Sequence, residues 1–510
     1  MKNMKKQAFN PYLPSYEYIP DGEPYVFGDR VYVYGSHDKF DGELFCMNDY
    51  VCWSAPTDDL GNWRYEGVIF KKTDDPINPD GKRCLYAPDV QLGLDGRYYL
   101  YYAFDSLGVM SVAVCDTPAG KYEYHGSVKT PDGHIIGTGP DDIYQFDPGV
   151  FIDDDGRIFL YSGFAPKFDK ANIVKMAKER YPDKTDSEIE EMLKNLFSGS
   201  GSSRRDGCYL FELERDMITV KRGPELVLPN WANSVGTSYE GHEFFEASSM
   251  RKINGKYYLI YSSVNGHELC YATSDRPDGG FAFGGTLVSN ADIYLHSDDP
   301  DTAKGWNYPG NNHGSLVKIE GQWYIFYHRQ TNRHSYSRQA CAEPISINAD
   351  GIINQVEMTS CGLNGGLLAG KGEYDARIAC NLRSSEGVVF FANNNREPAG
   401  IHPYFTQDGP DRESDGNQYI ANFRDGALAG FKYFDISGLT KITVKIRGDA
   451  LGTILISTGP GAEPAAKIDI TASSEWTAFS STINIANGKK ALFFTYKGEG
   501  GVDFMSFILE

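Results

Sequence analysis

No stretch of this sequence stays apolar for the roughly 18 residues that a membrane-spanning helix needs. The start, Met1 to Asn10, has basic residues but no apolar run behind them. A secretory signal is therefore not expected, and a cytoplasmic location is, unless a leader was trimmed from a secreted protein. Cysteines number nine, scattered, without a Cys-x-x-Cys pair. An odd, unpatterned set excludes a disulfide framework or a zinc site and fits buried, reduced thiols. Positive charge is short too: 49 Lys and Arg against 69 Asp and Glu leave a net charge of −20. A chain this acidic lacks the basic face that nucleic acid or an anionic membrane requires, so neither partner is expected.

What the chain has in quantity is aromatic residues and glycine: 34 Tyr, 29 Phe and 55 Gly. That mixture favours twisted sheets and tight turns over helical bundles. One phrase recurs five times, a turn glycine followed by an aromatic-rich strand: Gly28 to Tyr34, Gly96 to Tyr102, Gly156 to Tyr161, Gly255 to Tyr261 and Gly321 to Tyr327. Each copy reads as a β-hairpin. The intervals are 68, 60, 99 and 66 residues, room for about four short strands each. The expected fold is all-β: a five-bladed β-propeller over residues 1–360. The long interval holds a short helical insertion in blade three, Asp169 to Ser198. There Thr185 and Glu188 have capping-box spacing, and Ile189, Met192, Leu193 and Leu196 follow at helical period. Gly199 to Ser203 then reads as a flexible linker. Residues 361–374 read as a connector. Residues 375–510 alternate short strands and turns and suit a β-sandwich of jelly-roll type.

Just upstream of each hairpin glycine stands a polar residue in apolar surroundings: Asp21, Asp89, Asp147, Glu246 and His313. If the strands that follow are the innermost of their blades, all five residues converge on one funnel at the propeller axis. Apolar neighbours flank Asp147 and Glu246 in Gln145-Phe146-Asp147-Pro148 and Phe244-Phe245-Glu246-Ala247. Desolvated carboxylates of this kind mark functional sites. Glu23 competes with Asp21; spacing to Gly28 favours Asp21. Paired carboxylates across a sugar-sized gap are the machinery of glycoside hydrolysis: one delivers a proton to the leaving oxygen, the other activates water.

These phrases resemble glycoside hydrolase family 43. The motifs that carry the resemblance are Ile19-Pro20-Asp21, Tyr86-Ala87-Pro88-Asp89, Phe146-Asp147-Pro148-Gly149, Glu246-Ala247-Ser248 and Asn312-His313-Gly314-Ser315, spread over about 340 residues. The resemblance implies an inverting hydrolase with Asp21 as general base, Asp147 as pKa modulator and Glu246 as general acid. It further implies Asp89 and Arg338 as substrate-binding residues. His313 would hold a calcium ion on the axis, partly through water; no organic cofactor is expected. One departure is Gly22-Glu23 between Asp21 and Pro24, where the family usually has Asp followed by Pro. The C-terminal part resembles carbohydrate-binding module family 6 along Tyr419 to Phe431, at Trp476 and in Lys497 to Phe504, with Asp503 where a sugar-binding Asn is common. A working xylan-binding module and an ancillary domain both remain open for it.

The expected partner is a plant cell-wall oligo- or polysaccharide. The first expectation is release of L-arabinofuranose from arabinoxylan or arabino-oligosaccharides. A β-xylosidase acting on xylo-oligosaccharides is the alternative, with endo-arabinanase behind it. The rival class is a lectin propeller without catalysis, which would not need Asp147 and Glu246 together. No Ser-x-Asp-x-Gly-x-x-Trp turn and no Trp-Asp pair occurs, which disfavours sialidase-like and WD-repeat propellers.

Overall fold

The computed structural model describes residues 6–166, 204–295, 304–391, 399–411 and 416–510, with residues 174, 177, 178, 181 and 184–189 between the first two stretches. The chain is all-β, with 48% strand and 3% helix. Five antiparallel sheets follow one another. Sheet one is β1 (Glu23–Phe27), β2 (Arg30–Tyr34), β3 (Tyr50–Pro56) and β4 (Arg64–Phe70). Sheet two is β5 (Asp89–Leu92), β6 (Tyr98–Ala103), β7 (Met110–Cys115) and β8 (Glu123–Ser127). Sheet three is β9 (Gly149–Ile152), β10 (Ile158–Ser162), β11 (Gly207–Leu213) and β12 (Val220–Pro229). Sheet four is β13 (Phe244–Ile253), β14 (Lys256–Ser263), β15 (Glu268–Ser274) and β16 (Ala282–Ser289). Sheet five has three strands, β17 (Leu316–Ile319), β18 (Gln322–Thr331) and β19 (His334–Ile345).

The recurring phrase is the turn and second strand of each sheet. Its glycines, Gly28, Gly96, Gly156, Gly255 and Gly321, all have φ between 63° and 89°, which a side chain would strain. The aromatic strands behind them are apolar at consecutive positions because both faces are covered. Along β10, Ile158 and Leu160 pack toward sheet two while Phe159 and Tyr161 pack toward sheet four. In β6, Tyr99 and Tyr101 face sheet three, and Leu100 and Tyr102 face sheet one. In β18, Ile325 and Tyr327 face sheet four, whereas Tyr324 and Phe326 meet Val31 and Val33 of sheet one. Five apolar interfaces thus join each sheet to the next and the fifth back to the first. The N-terminal segment seals the closure: Tyr12 N–H donates to Ala340 O at 3.2 Å, outside β19, and Leu13 enters the same interface.

The second half of the chain forms two six-stranded sheets from β20 (Leu368–Ala369), β21 (Gly372–Asp375), β22 (Asn381–Arg383), β23 (Tyr404–Thr406), β24 (Tyr419–Arg424), β25 (Leu428–Ile436), β26 (Lys441–Gly448), β27 (Leu451–Ser457), β28 (Ala466–Ile470), β29 (Ser473–Thr482), β30 (Gly488–Glu499) and β31 (Gly501–Leu509). One sheet runs β20-β25-β30-β27-β28 with β22 on β25; the other runs β23-β24-β31-β26-β29 with β21 on β31. The expected connector therefore already belongs to these sheets from Leu368 onward. Phe431, Phe494, Phe504 and Phe507 sit in one shared core between them.

The two halves share buried polar contacts. Arg329 of β18 donates to the carbonyls of Ala379 (3.0 Å) and Arg377 (2.8 Å) and lies 3.9 Å from the Phe405 ring centre. Lys432 bonds Glu357 at 2.9 Å and lies 3.6 Å from Asp292. Within the helical insertion, residues 186–189 are helical. The expected capping box is formed: Thr185 N–H donates to Glu188 Oε2 at 2.8 Å and Glu188 N–H to Thr185 Oγ1 at 3.3 Å. Met192, Leu193, Leu196 and the Gly199–Ser203 linker lie outside the described residues.

Candidate active site

The first strands β1, β5, β9, β13 and β17 approach one another about the ring axis. At Gly149 an added Cβ would come 2.4 Å from the Ser248 carbonyl, so only glycine admits the approach of β9 to β13. Two polar layers result. The upper one stands where the strands begin and the backbone is twisted out of the β region: Asp21 and Asp147, just before β1 and β9, have φ 58° and φ 45°, and Ala247, following Glu246 within β13, has φ 69° at a register shift. Non-glycine residues held at positive φ carry strain of about 1–3 kcal/mol and gather at functional sites. Asp21, Asp147, Glu246, His313 and Arg338 all line one cavity of about 580 Å³.

Arg338, on β19, is nearly fully buried and organises the upper layer. Its Nε and Nη2 donate to the two oxygens of Asp38 at 2.8 and 2.9 Å, and its Nη1 donates to Asp21 Oδ1 at 3.0 Å. Its guanidinium also stacks on Phe45, 4.7 Å from the ring centre. Burial alone would push the Asp21 carboxyl up. The Arg338 guanidinium, with His328 and His313 beside it, outweighs burial and holds Asp21 below the usual carboxylate range. Glu246 has no such partner. Burial first, and the Asp21 charge second, push its carboxyl up to about 8 against the pull of Arg338. Burial, Glu246 and Asp21 likewise push Asp147 well up, against a hydrogen bond from Ala247 N–H. The site thus sets Asp21, whose ionised form Arg338 favours, beside Glu246 and Asp147, whose protonated forms burial favours.

Both histidines are neutral, since burial lowers His313 to about 4 and His328 to about 3. His328 Nε2–H donates to Asn311 O at 2.7 Å, which leaves Nδ1 as acceptor for the Asp21 N–H at 3.3 Å. His313 turns Nδ1 toward Asp147 Oδ2 at 3.5 Å, and its Nε2 is buried without a hydrogen-bond partner. That orphaned lone pair fits one ligand position of a cation. Among the described residues His313 belongs to no cluster of three ligating side chains, so water would complete a calcium shell of six to eight oxygens. The one such cluster, His242, Glu268 and Cys270, has another role. Glu268 accepts from His242 (2.8 Å), Ser263 (2.5 Å), Asn265 (2.8 Å) and Thr286 (2.9 Å), bracing the turn that brings Asn265 and His267 to the cavity.

The lower layer holds the first residues of the strands. Glu23 is fully buried, accepts from Arg251 Nη2 at 2.9 Å and Ser249 Oγ at 3.1 Å, and does not line the cavity. Asp21, not Glu23, faces the pocket. Asp89 is a correction. It too lies in the lower layer and is absent from the cavity wall, because both its oxygens are engaged: Oδ1 accepts from Tyr25 OH and Val90 N–H at 2.7 Å, Oδ2 from Val150 N–H at 2.6 Å. Ala87, two residues earlier, occupies the cavity position in sheet two. Sequence reasoning missed Asp38, His328 and the aromatic wall of Phe45, Tyr86, Phe146, Phe164 and Phe245. It also missed Phe390 from the C-terminal half. Only the Tyr86 and Phe146 motifs carried a local signal.

The family model for glycosyl hydrolases family 43 matches residues 18–212 and 193–353. A protein of Thermoclostridium stercorarium named xylosidase/arabinosidase is 51% identical over 506 residues, 99% of each chain. An arabinoxylan arabinofuranohydrolase of Paenibacillus polymyxa is 24% identical, covering 96% of this chain and 71% of that one. Among solved structures, a family-43 β-xylosidase/α-arabinofuranosidase from a compost microbial metagenome, in complex with xylotriose in a calcium-free form, is 27% identical. It covers 67% of this chain and 96% of that one at a TM-score of 0.47.

Proposed function

The chain belongs to glycosyl hydrolase family 43 and is a glycoside hydrolase, and we propose that it removes terminal pentoses from plant xylan with inversion. The units released are L-arabinofuranose from arabinoxylan or arabino-oligosaccharides and D-xylose from xylo-oligosaccharides. The two sugars overlay well in space, so one pocket accepts both, and the relative at 51% identity bears both activities in its name. We read the ring of five sheets as a five-bladed propeller carrying catalysis and the paired six-stranded sheets as a β-sandwich.

One observation carries the mechanism: a single cavity sets Asp21, ionised against Arg338, beside Glu246, kept protonated by burial. Asp21 takes a proton from water as the water oxygen bonds the anomeric carbon. Glu246 gives its proton to the glycosidic oxygen as that bond breaks on the opposite face. Asp147 turns its carboxyl toward His313 Nδ1 and shares the like-charge pressure that keeps a proton in the site. A calcium ion, held by His313 Nε2 and water, would supply positive potential near the carboxylates. In the sandwich, Arg447 lies over both Trp476 (4.4 Å) and Tyr419 (4.9 Å) while its guanidinium binds Asp408 and Asp503. With those ring faces covered, an ancillary domain is favoured over a sugar-binding one.

The test is Glu246→Gln. Release of pentose from arabinoxylan or xylobiose, with a sugar alcohol as leaving group, should fall by about 10²–10⁴-fold. Dinitrophenyl glycosides, whose phenolate leaves unprotonated, should lose far less. Equal losses on both would refute the acid assignment, and tight arabinoxylan binding by a parent without hydrolysis would favour a lectin.

A further inference from the structure

We propose that Phe390, supplied by the C-terminal half, is the stacking platform for the leaving-group sugar and so selects oligosaccharides over small aglycones. The inference rests on the pentosidase reading above.

Most aromatic residues of the cavity brace one another. Phe45 meets Tyr336 edge-on at 4.7 Å. Phe146 contacts Tyr86 at 5.2 Å and Phe164 at 5.3 Å, and Phe164 contacts Phe245 at 5.3 Å. Phe390 differs in three ways. It comes from the other half of the chain, it touches no described aromatic ring, and it is 57% exposed while still lining the cavity. Leaving more than half of a phenylalanine exposed forgoes a large part of a burial worth about 1.5–3 kcal/mol.

Its backbone is nonetheless fixed on both sides. Val388 lies in the core between the two six-stranded sheets, and the Phe391 ring meets Tyr308 at 4.9 Å, tilted by 50°. Ser384 N–H and Oγ both donate to Gly387 O at 2.9 Å, tightening the turn that precedes them. A half-exposed cavity ring with no aromatic partner among the described residues matches an apolar ligand face, and the C–H face of a sugar ring is one.

Exposure orders the ligand. Asp21, Asp147 and His313 are 3–4% exposed, so the sugar that meets them is the inner one. Glu246, partly exposed, stands at the bond to be broken. The ring against Phe390 is then the outer one, which departs with the proton from Glu246.

The experiment compares Phe390→Ala and Phe390→Trp in the full chain. The substrates are a pentose disaccharide that the parent cleaves (xylobiose or arabinobiose) and the glycosyl fluoride of the same pentose, whose leaving group has no ring. For Phe390→Ala the kcat/KM ratio of disaccharide to fluoride should fall about tenfold, the scale of one aromatic contact, and Phe390→Trp should restore it. An unchanged ratio, whether activity holds or falls on both substrates, overturns the platform. Calorimetric binding of xylotriose and of xylose to Glu246→Gln, with and without Phe390→Ala, separates the two readings. If the parent hydrolyses no glycoside, the pentosidase reading fails. The platform then stands if Phe390→Ala weakens xylotriose binding about tenfold more than xylose binding, and falls if both ligands respond alike.

Discussion

Removing the guanidinium that keeps Asp21 ionised should move the whole pH profile upward. The variant is Arg338→Met combined with Asp38→Asn, because Arg338→Met alone would leave Asp38 buried without its cation, at a cost of about 3–5 kcal/mol. The Nη1–Oδ1 contact is 3.0 Å. With charge centres about 4 Å apart and an effective dielectric near 20, the attraction is about 4 kcal/mol, or about three pKa units. Water entering the vacated space will screen part of this, so the acid limb of kcat/KM should rise by about two units. The sign follows from the role proposed for Asp21 as base: its folded pKa is depressed, so activity is lost as pH falls through it, and raising that pKa brings the loss to higher pH. Arg338 also holds Glu246 down, so the alkaline limb, governed by loss of the Glu246 proton, should rise as well. The assay is kcat/KM for a pentose disaccharide, whose leaving group needs a proton, across pH 3 to 10, which reports groups of the free enzyme, with circular dichroism at each pH. An acid limb that stays in place while the protein remains folded would refute Arg338 as the cause of Asp21 ionisation.

Two further outcomes follow from buried charge. Arg251→Met strips Glu23 of its cation in the lower layer and should destabilise folding by about 3–5 kcal/mol in urea titration, with KM unchanged because Arg251 does not reach the cavity. Ending the chain at residue 371 removes the Ala379 and Arg377 carbonyls from Arg329 and bares Tyr308, so the truncated protein should be unfolded or aggregated by size-exclusion chromatography. A monodisperse, folded fragment with parental turnover would contradict this.

The sequence disclosed the hairpins because a turn glycine at positive φ followed by an aromatic strand is a local pattern. Asp21, Asp147, Glu246 and His313 stood out because each lies seven to nine residues before that glycine. The same rule misplaced Asp89, since distance from a turn does not tell whether the residue lies above the strand, as Ala87 does, or opens it. Two residues of offset separate a pocket wall from a buried axial network. Asp38 was illegible for a different reason. Its role exists only through Arg338, 300 positions away. Phe390 lies further still along the chain, in a part whose pattern announces a separate sheet pair. Contacts of this kind depend on closure of the ring and docking of the second sheet pair, and no local periodicity encodes them.

Closure has a consequence for the spacing of the catalytic groups. In an open array of sheets each interface could relax alone, and its neighbours would follow as a rigid tail. In a ring the angles between successive sheets must add to one full turn, so an interface that narrows forces the others to widen. Asp21 is set by sheet one, Asp147 by sheet three, Glu246 by sheet four, and Arg338 by sheet five. Their separations are therefore a property of the whole circumference. An enlarged side chain between sheets two and three would be felt as a changed gap between Asp21 and Glu246, and the ring acts as a gauge that fixes that gap.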